Sequence, residues 1–141
     1  MDATRPLEGK RVLVVEDNYL IADEYCEVLR AAGAVPIGPV ASAAAAIEAA
    51  GRHVLDGVLL DVKLQGVNSF SVAKYLQSKK VPFLLVTGCP QEILQPRLQR
   101  AHSITKPSLP SDLVEAAAQA FGLQAEAPLS NLAPPLAERG R

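Results

Sequence analysis

The chain has 141 residues, a net charge of −1 and 49% hydrophobic residues, and it contains no tryptophan. This length is enough for one domain with a single core, which the composition predicts to be aliphatic. The near-neutral charge excludes the basic surface typical of nucleic-acid binding and gives no attraction to anionic membranes. No apolar stretch approaches the roughly 20 residues of a transmembrane helix, and the two cysteines lack a CxxC spacing, so we expect a cytoplasmic protein with reduced thiols.

Apolar runs and helical periodicities alternate along the chain. Strands are predicted at residues 11–15, 35–40, 54–61, 82–87 and 101–105, and helices at 19–32, 42–50, 69–79, 91–99 and 111–121. Asn18 and Ser42 are expected to cap the first two helices, and Gly33 to end the first. Pro96 interrupts the helix predicted at 91–99. Two prolines in the run at 35–40 place that strand at an edge of the sheet.

The alternation of strands and helices predicts the fold class. Five strand–helix repeats with right-handed crossovers predict an α/β protein with a doubly wound, five-stranded parallel sheet in three α/β/α layers. We expect the folded domain to span residues 11–122. An N-terminal extension at 1–10 precedes it, and an Ala- and Pro-rich tail at 123–141 follows it.

Chemical groups stand at the carboxyl ends of the predicted strands. Glu16 and Asp17 follow the first strand, Asp61 ends the third, Thr87 ends the fourth, and Lys106 follows the fifth. In an open parallel sheet these ends line one crevice. Three carboxylates there would repel one another and are usually relieved by a hard divalent cation, for which Mg²⁺ fits best and Mn²⁺ is the alternative. Because carboxylates form acyl phosphates, Asp61 is the best candidate nucleophile.

As a set, these motifs resemble the receiver domain of two-component response regulators. The resemblance rests on the acid pair Glu16-Asp17, on Asp61, on Thr87-Gly88 and on Lys106-Pro107, and it covers residues 11–121. It implies the flavodoxin-like strand order 2-1-3-4-5. It also implies a cis peptide between Lys106 and Pro107, which would hold the amine toward the site.

The resemblance further implies a role for each site residue. Asp61 would be the phosphoacceptor, and Mg²⁺ would be held by Glu16, Asp17, Asp61 and the backbone carbonyl of Lys63. Thr87, Gly88 and Lys106 would stabilise the phosphoryl group.

The resemblance also implies function and partners. The chain would be a stand-alone regulator that accepts a phosphoryl group from a sensor histidine kinase or a histidine phosphotransfer protein. It would then signal to a downstream protein by phosphorylation-dependent contact, as a monomer or weak homodimer. No enzyme activity is implied beyond self-catalysed phosphotransfer and autodephosphorylation. Two alternatives stay open, a phosphate sink that drains a kinase and a receiver-fold scaffold that works without phosphorylation.

Two features distinguish this chain within the family it resembles. Residues 81–88 are similar to an alphaproteobacterial subgroup of stand-alone receivers with a Phe-Ala-Thr-Gly-like stretch, although Leu85-Val86 stands here in place of Phe-Ala. Most receivers carry an aromatic residue three positions before the lysine, where this chain has Ser103. The usual aromatic switch is therefore absent.

Two other protein classes share part of the pattern. Phosphatases and transferases of the haloacid dehalogenase type also use an Asp nucleophile and Mg²⁺, but they need an acid two residues later, where Lys63 stands. A flavodoxin-like cofactor binder needs a hydroxyl- and glycine-rich phosphate loop after the first strand. The acids Glu16 and Asp17 at that place would repel phosphate.

Overall fold

The structure is a computed structural model that describes residues 5–88, 101–106 and 108–122. The predicted helix at 91–99 and the tail at 123–141 lie outside the described residues. So does Pro107, and with it the predicted cis peptide.

Five parallel strands form the central sheet. They are β1 (Arg11–Val15), β2 (Val35–Val40), β3 (Gly57–Asp61), β6 (Phe83–Thr87) and β7 (His102–Thr105). A short antiparallel hairpin, β4 (Lys63–Leu64) and β5 (Val67–Asn68), follows β3. The sheet order is β2-β1-β3-β6-β7, which is the predicted order 2-1-3-4-5 of a flavodoxin-like fold.

Within the described residues, four helices flank the sheet, namely α1 (Tyr19–Ala31), α2 (Ala43–Arg52), α3 (Phe70–Ser78) and α4 (Pro110–Ala120). The Asn18 side chain caps α1 by accepting from two backbone N–H groups, and Ser42 caps α2 by accepting from Ala45. Gly33 follows α1 with φ +94°, a conformation that glycine adopts without strain. None of the described helices combines the length and apolar character needed to cross a membrane.

The core lies in two layers because alternate residues of each buried strand face opposite sides of the sheet. Val12 and Val14 of β1 pack with α1 and α4, whereas Leu13 and Val15 pack with α2 and α3. Leu7, which precedes the sheet, is fully buried in the first of these layers. The helices thus cover both faces of the sheet, as the α/β/α prediction requires.

The start of β3 differs from the prediction. Val54 was expected in the strand, but it precedes β3 and is 82% exposed. The Arg11 side chain donates to the Val54 carbonyl, and the Arg11 backbone N–H donates to the Asp56 carboxylate at 2.8 Å. These bonds hold residues 54–56 as a loop across the end of the sheet, so the ladder begins only at Gly57.

Gly57 lies under the end of the last helix. A Cβ atom at this position would come within 2.5 Å of the Phe121 ring. Phe121 follows α4 directly and is itself buried. The absence of a side chain on β3 therefore lets the aromatic ring pack directly on the strand backbone.

Candidate metal centre

The carboxyl ends of the central strands bring the predicted site residues to one edge of the sheet. Glu16 and Asp17 follow β1, Asp61 ends β3, Thr87 ends β6 and Lys106 follows β7. One carboxylate oxygen from each of Glu16, Asp17 and Asp61 lies within 4.8 Å of the other two. The parallel topology thus assembles three acids that are separated by up to 45 positions in the chain.

Burial makes the cluster electrostatically costly. Glu16 and Asp61 are 3% and 6% exposed, and Asp17 is on the surface. Burial and the adjacent Glu16 carboxylate raise the pKa of Asp61 to about 6, although Lys106 acts in the opposite direction. The ionised form of Asp61 is therefore destabilised in the folded protein, as is expected of acids that share a site.

Lys106 supplies the positive charge of the cluster. Its ammonium lies 3.1 Å from Glu16 Oε1 and 3.4 Å from Asp61 Oδ2. Burial lowers the pKa of Lys106, but the carboxylates of Asp61 and Glu16 outweigh that effect, and the net direction is upward. One ammonium set against three carboxylates leaves an excess of negative charge, which favours a cation.

The β4–β5 hairpin orients Asp17, the exposed acid of the cluster, through a backbone hydrogen bond. The Gln65 backbone N–H donates to Asp17 Oδ2 at 2.5 Å. Gln65 and Gly66 form the two-residue turn with φ of 54° and 81°, the positive φ at both positions that a tight hairpin turn requires. The sequence does not predict this contact, because no residue type in the segment indicates that Gln65 adopts a positive φ.

A buried serine that the sequence does not single out anchors the turn after Asp61. Ser69 is fully buried, and its hydroxyl donates to the Asp61 carbonyl at 2.5 Å while its backbone N–H donates to the Val62 carbonyl at 2.7 Å. From the sequence, either Ser69 or Ser71 is expected to begin the helix, and the structure places Ser69 directly before α3. The bond from the Ser69 hydroxyl to the Asp61 carbonyl fixes the backbone conformation at the end of β3.

The remaining predicted residues lie around this cluster. Thr87 is buried, and its carbonyl accepts from the Lys106 backbone N–H at 2.7 Å, which ties the ends of β6 and β7 together. Gly88 has open space where a Cβ would stand. Lys63 begins β4, two residues after Asp61, and the contribution of its carbonyl to a metal shell stays a prediction. Ser103 sits exposed within the edge strand β7, opposite Leu85 of β6.

The donor set fits a hard divalent cation. All three acids offer oxygen atoms, and Mg²⁺ is usually bound through one or two carboxylates with its other positions left to water and phosphate oxygens. No histidine or described cysteine joins the cluster, so the softer transition metals are less well matched. The geometry therefore places an oxygen-rich acidic cluster, suited to Mg²⁺, beside a lysine and a buried threonine.

Comparison with known proteins agrees with this geometry. Residues 12–118 match the response regulator receiver domain family, and the chain belongs to that family. It is 32% identical over 111 residues to the transcriptional regulatory protein PdtaR of Mycobacterium tuberculosis, a match that covers 76% of this chain and 54% of that protein. The chain thus spans about half the length of these curated relatives.

Solved structures of receivers have the same fold. The receiver domain of Erythrobacter litoralis PhyR is 25% identical, with a TM-score of 0.73 over 84% of this chain and 94% of that one. The receiver domain of the Pseudomonas aeruginosa sensor histidine kinase PA1611, determined with a magnesium ion in its active-site cleft, is 22% identical, with a TM-score of 0.69 over 81% of this chain and 98% of that one. The chain is therefore a receiver domain of a two-component response regulator, the class of protein that accepts a phosphoryl group on an aspartate.

Proposed function

We propose that Asp61 accepts a phosphoryl group from the phosphohistidine of a sensor histidine kinase or a histidine phosphotransfer protein, and that the phosphorylated form signals by protein contact. The observation that carries this proposal is the position of Asp61. It ends the central strand β3 inside the acid cluster, 3.4 Å from the Lys106 ammonium, with Thr87 at the end of the neighbouring strand.

Each residue has a defined task in the transfer. An ionised Asp61 oxygen forms the new P–O bond as the P–N bond to the donor imidazole breaks, and the imidazole nitrogen retains the bonding electron pair. Lys106 then exchanges its carboxylate contact for the oxygens of the phosphoryl group, since an ammonium pairs strongly with phosphate. The Thr87 hydroxyl can donate to another phosphoryl oxygen, and the open space at Gly88 allows its backbone to approach.

Glu16, Asp17 and Asp61 would hold Mg²⁺, with the backbone carbonyl of Lys63 as a further ligand. The ion would neutralise charge on the phosphoryl oxygens, which together with positioning is the main source of rate in such reactions. The Gln65 contact to Asp17 supports this assignment, because a carboxylate that is already oriented loses less freedom when it binds.

A complete site favours a phosphorylated receiver over a phosphorylation-independent scaffold. A phosphate sink would use the same site and differ only in lacking a partner selective for the phosphorylated form. Beryllofluoride mimics a phosphoryl group on the aspartate. The proteins captured by wild type loaded with beryllofluoride can be compared with those captured by Asp61→Asn. A signalling receiver should gain a partner on loading, whereas a phosphate sink should not.

Intact mass spectrometry tests the chemistry directly. Incubation with Mg²⁺ and phosphoramidate, which has the P–N bond of phosphohistidine, should add the mass of one phosphoryl group to the wild type. Asp61→Asn should gain nothing. Asp56→Asn is the matched control, because Asp56 precedes the same strand at the opposite end of the sheet and should leave labelling intact. Labelling of Asp61→Asn at the wild-type rate would show that another residue is the acceptor.

A further inference from the structure

A cavity lies beside the acid cluster, between α1 on one side and Lys106, Ser108 and the first turn of α4 on the other. Its volume is about 130 Å³. Apolar side chains of α1 and α4 line part of it, and the polar residues Glu24, Tyr25, Lys106 and Ser108 line the rest. The cavity therefore meets the acid cluster at one shared residue, Lys106.

Tyr25 is one of the residues that line this cavity. The residue is only 9% exposed, and its phenol makes no hydrogen bond to any residue that the structure describes. Buried tyrosine hydroxyls usually have a partner, because an unsatisfied buried polar group costs about 1–3 kcal/mol. Burial, Glu16 and Asp61 all raise the pKa of Tyr25. The hydroxyl therefore stays protonated within the electrostatic field of the metal centre.

Lys106, which lines the same cavity, has more hydrogen-bond donors than the carboxylates of the acid cluster use. An ammonium has three N–H donors, and its contacts among the described residues are the carboxylates of Glu16 and Asp61. A water needs only about 10–15 Å³ and two to four polar partners. The cavity offers that room, and its lining residues Tyr25, Ser108, Glu24 and Lys106 each carry a polar group. A water-mediated bond is nearly as favourable as a direct one.

We propose that Tyr25 is a positioning residue for Lys106, and that its hydroxyl, acting through water in this cavity, holds the ammonium where it meets the phosphoryl group on Asp61. This inference rests on the proposed phosphotransfer function. It gives α1 a role in the chemistry besides packing. It also assigns a task to a phenol that the family resemblance does not explain.

Tyr25→Phe tests the proposal with the ring retained. Phosphorylation by phosphoramidate at saturating Mg²⁺ should slow by about threefold to tenfold, which corresponds to the loss of one hydrogen bond. The Mg²⁺ affinity, measured by calorimetry, should stay unchanged because the three acids are intact. Tyr75→Phe is the matched control, since Tyr75 lies on α3 at the other face of the sheet and should react at the wild-type rate.

A double-mutant cycle separates positioning from a general structural effect. In a Lys106→Gln background, Tyr25→Phe should cause no further slowing, because the lysine that it positions is gone. The ammonium protons of Lys106, observed by ¹⁵N NMR in the Mg²⁺-loaded protein, should exchange with solvent faster in Tyr25→Phe than in the wild type or in Tyr75→Phe.

Unchanged rates and unchanged ammonium exchange in Tyr25→Phe would overturn the proposal, as would equal slowing in both backgrounds. The exchange measurement needs no phosphoryl transfer. A wild type that is not phosphorylated would refute the proposed function, while the effect of Tyr25 on Lys106 would still be decided.

Discussion

Asp61→Asn is expected to stabilise the protein in the absence of Mg²⁺. The pKa of Asp61 is about 6 in the folded state against an ordinary value of 3.8. Between these pH values the folded protein retains a proton that the unfolded chain has lost, so the free energy of unfolding falls as the pH rises through this window. Well above pH 6, Asp61 is ionised in both the folded and the unfolded state, and the folded protein carries the full cost of the buried charge.

The magnitude follows from the difference in pKa. A difference of about two pKa units corresponds to about 3 kcal/mol. This value already includes the favourable contact with Lys106, since the pKa reflects all neighbours together. Replacing the carboxylate by an amide of the same shape should therefore raise the free energy of unfolding by about 2–3 kcal/mol at pH 7.5. At pH 4 the gain should be well under about 1 kcal/mol, because Asp61 is then protonated in the folded state.

Urea denaturation in EDTA at pH 7.5 and pH 4 measures both values. The free energy of unfolding typically falls by about 1–3 kcal/mol per molar urea. The urea concentration at the midpoint of unfolding should therefore be higher in Asp61→Asn by about 1 M or more at pH 7.5. Asp23→Asn, an exposed change on α1, is the control for loss of one negative charge. Addition of Mg²⁺ should reverse the ranking, because the wild type gains stability by mass action and the variant has lost a ligand. A variant no more stable than the wild type at pH 7.5, or an equal gain at both pH values, would refute the reasoning.

Further predictions concern the core, the hairpin and the metal. Gly57→Ala should lower the free energy of unfolding by about 1–3 kcal/mol, because the new methyl group clashes with Phe121. In a double-mutant cycle followed by urea denaturation, the same substitution should cost less in a Phe121→Leu background. Leu7→Ala should lower the free energy of unfolding by about 2–5 kcal/mol, because Leu7 is fully buried. A loss below about 1 kcal/mol would contradict its place in the core. Asp17→Asn should weaken Mg²⁺ binding in calorimetry, and Gly66→Val should do so less strongly by straining the turn that orients Asp17. Unaltered Mg²⁺ affinity in Asp17→Asn would argue against the acid cluster as the metal site.

The sequence predicted the sheet because its central strands carry two independent signals. Their dense Val and Leu runs indicate burial on both faces, and each run ends on a polar group that has no reason to be there for packing. Those groups lie at one edge in any parallel sheet, so the cluster of Glu16, Asp17 and Asp61 followed from topology alone. Chain order and crossover handedness then limited the arrangement of the strands.

The parts that the sequence did not predict depend on contacts between distant residues. The two-residue strands of the β4–β5 hairpin are too short for any periodicity to appear, and the positive φ of Gln65 is held by its bond to Asp17, 48 positions earlier. The start of β3 was misplaced because the bonds between Arg11 and the segment at 54–56 cross the end of the sheet. Tyr25 lies on the buried side of α1, but Lys106, which lines the same cavity, comes from the far end of the chain, so the sequence alone does not bring the two together.

The packing of Phe121 on Gly57 determines which edge of the sheet a C-terminal reporter or tether starts from. Gly57 and Asp61 are the two ends of β3, about 13 Å apart at the rise of an extended strand. Lys10, just before β1, reaches the same remote edge, where Arg11 bonds Asp56. A reporter or tether attached after Gly122 therefore starts from the edge of the sheet opposite Asp61. Such an attachment leaves a phosphodonor's approach to Asp61 open, so protein immobilised after Gly122 should be labelled as readily as protein in solution.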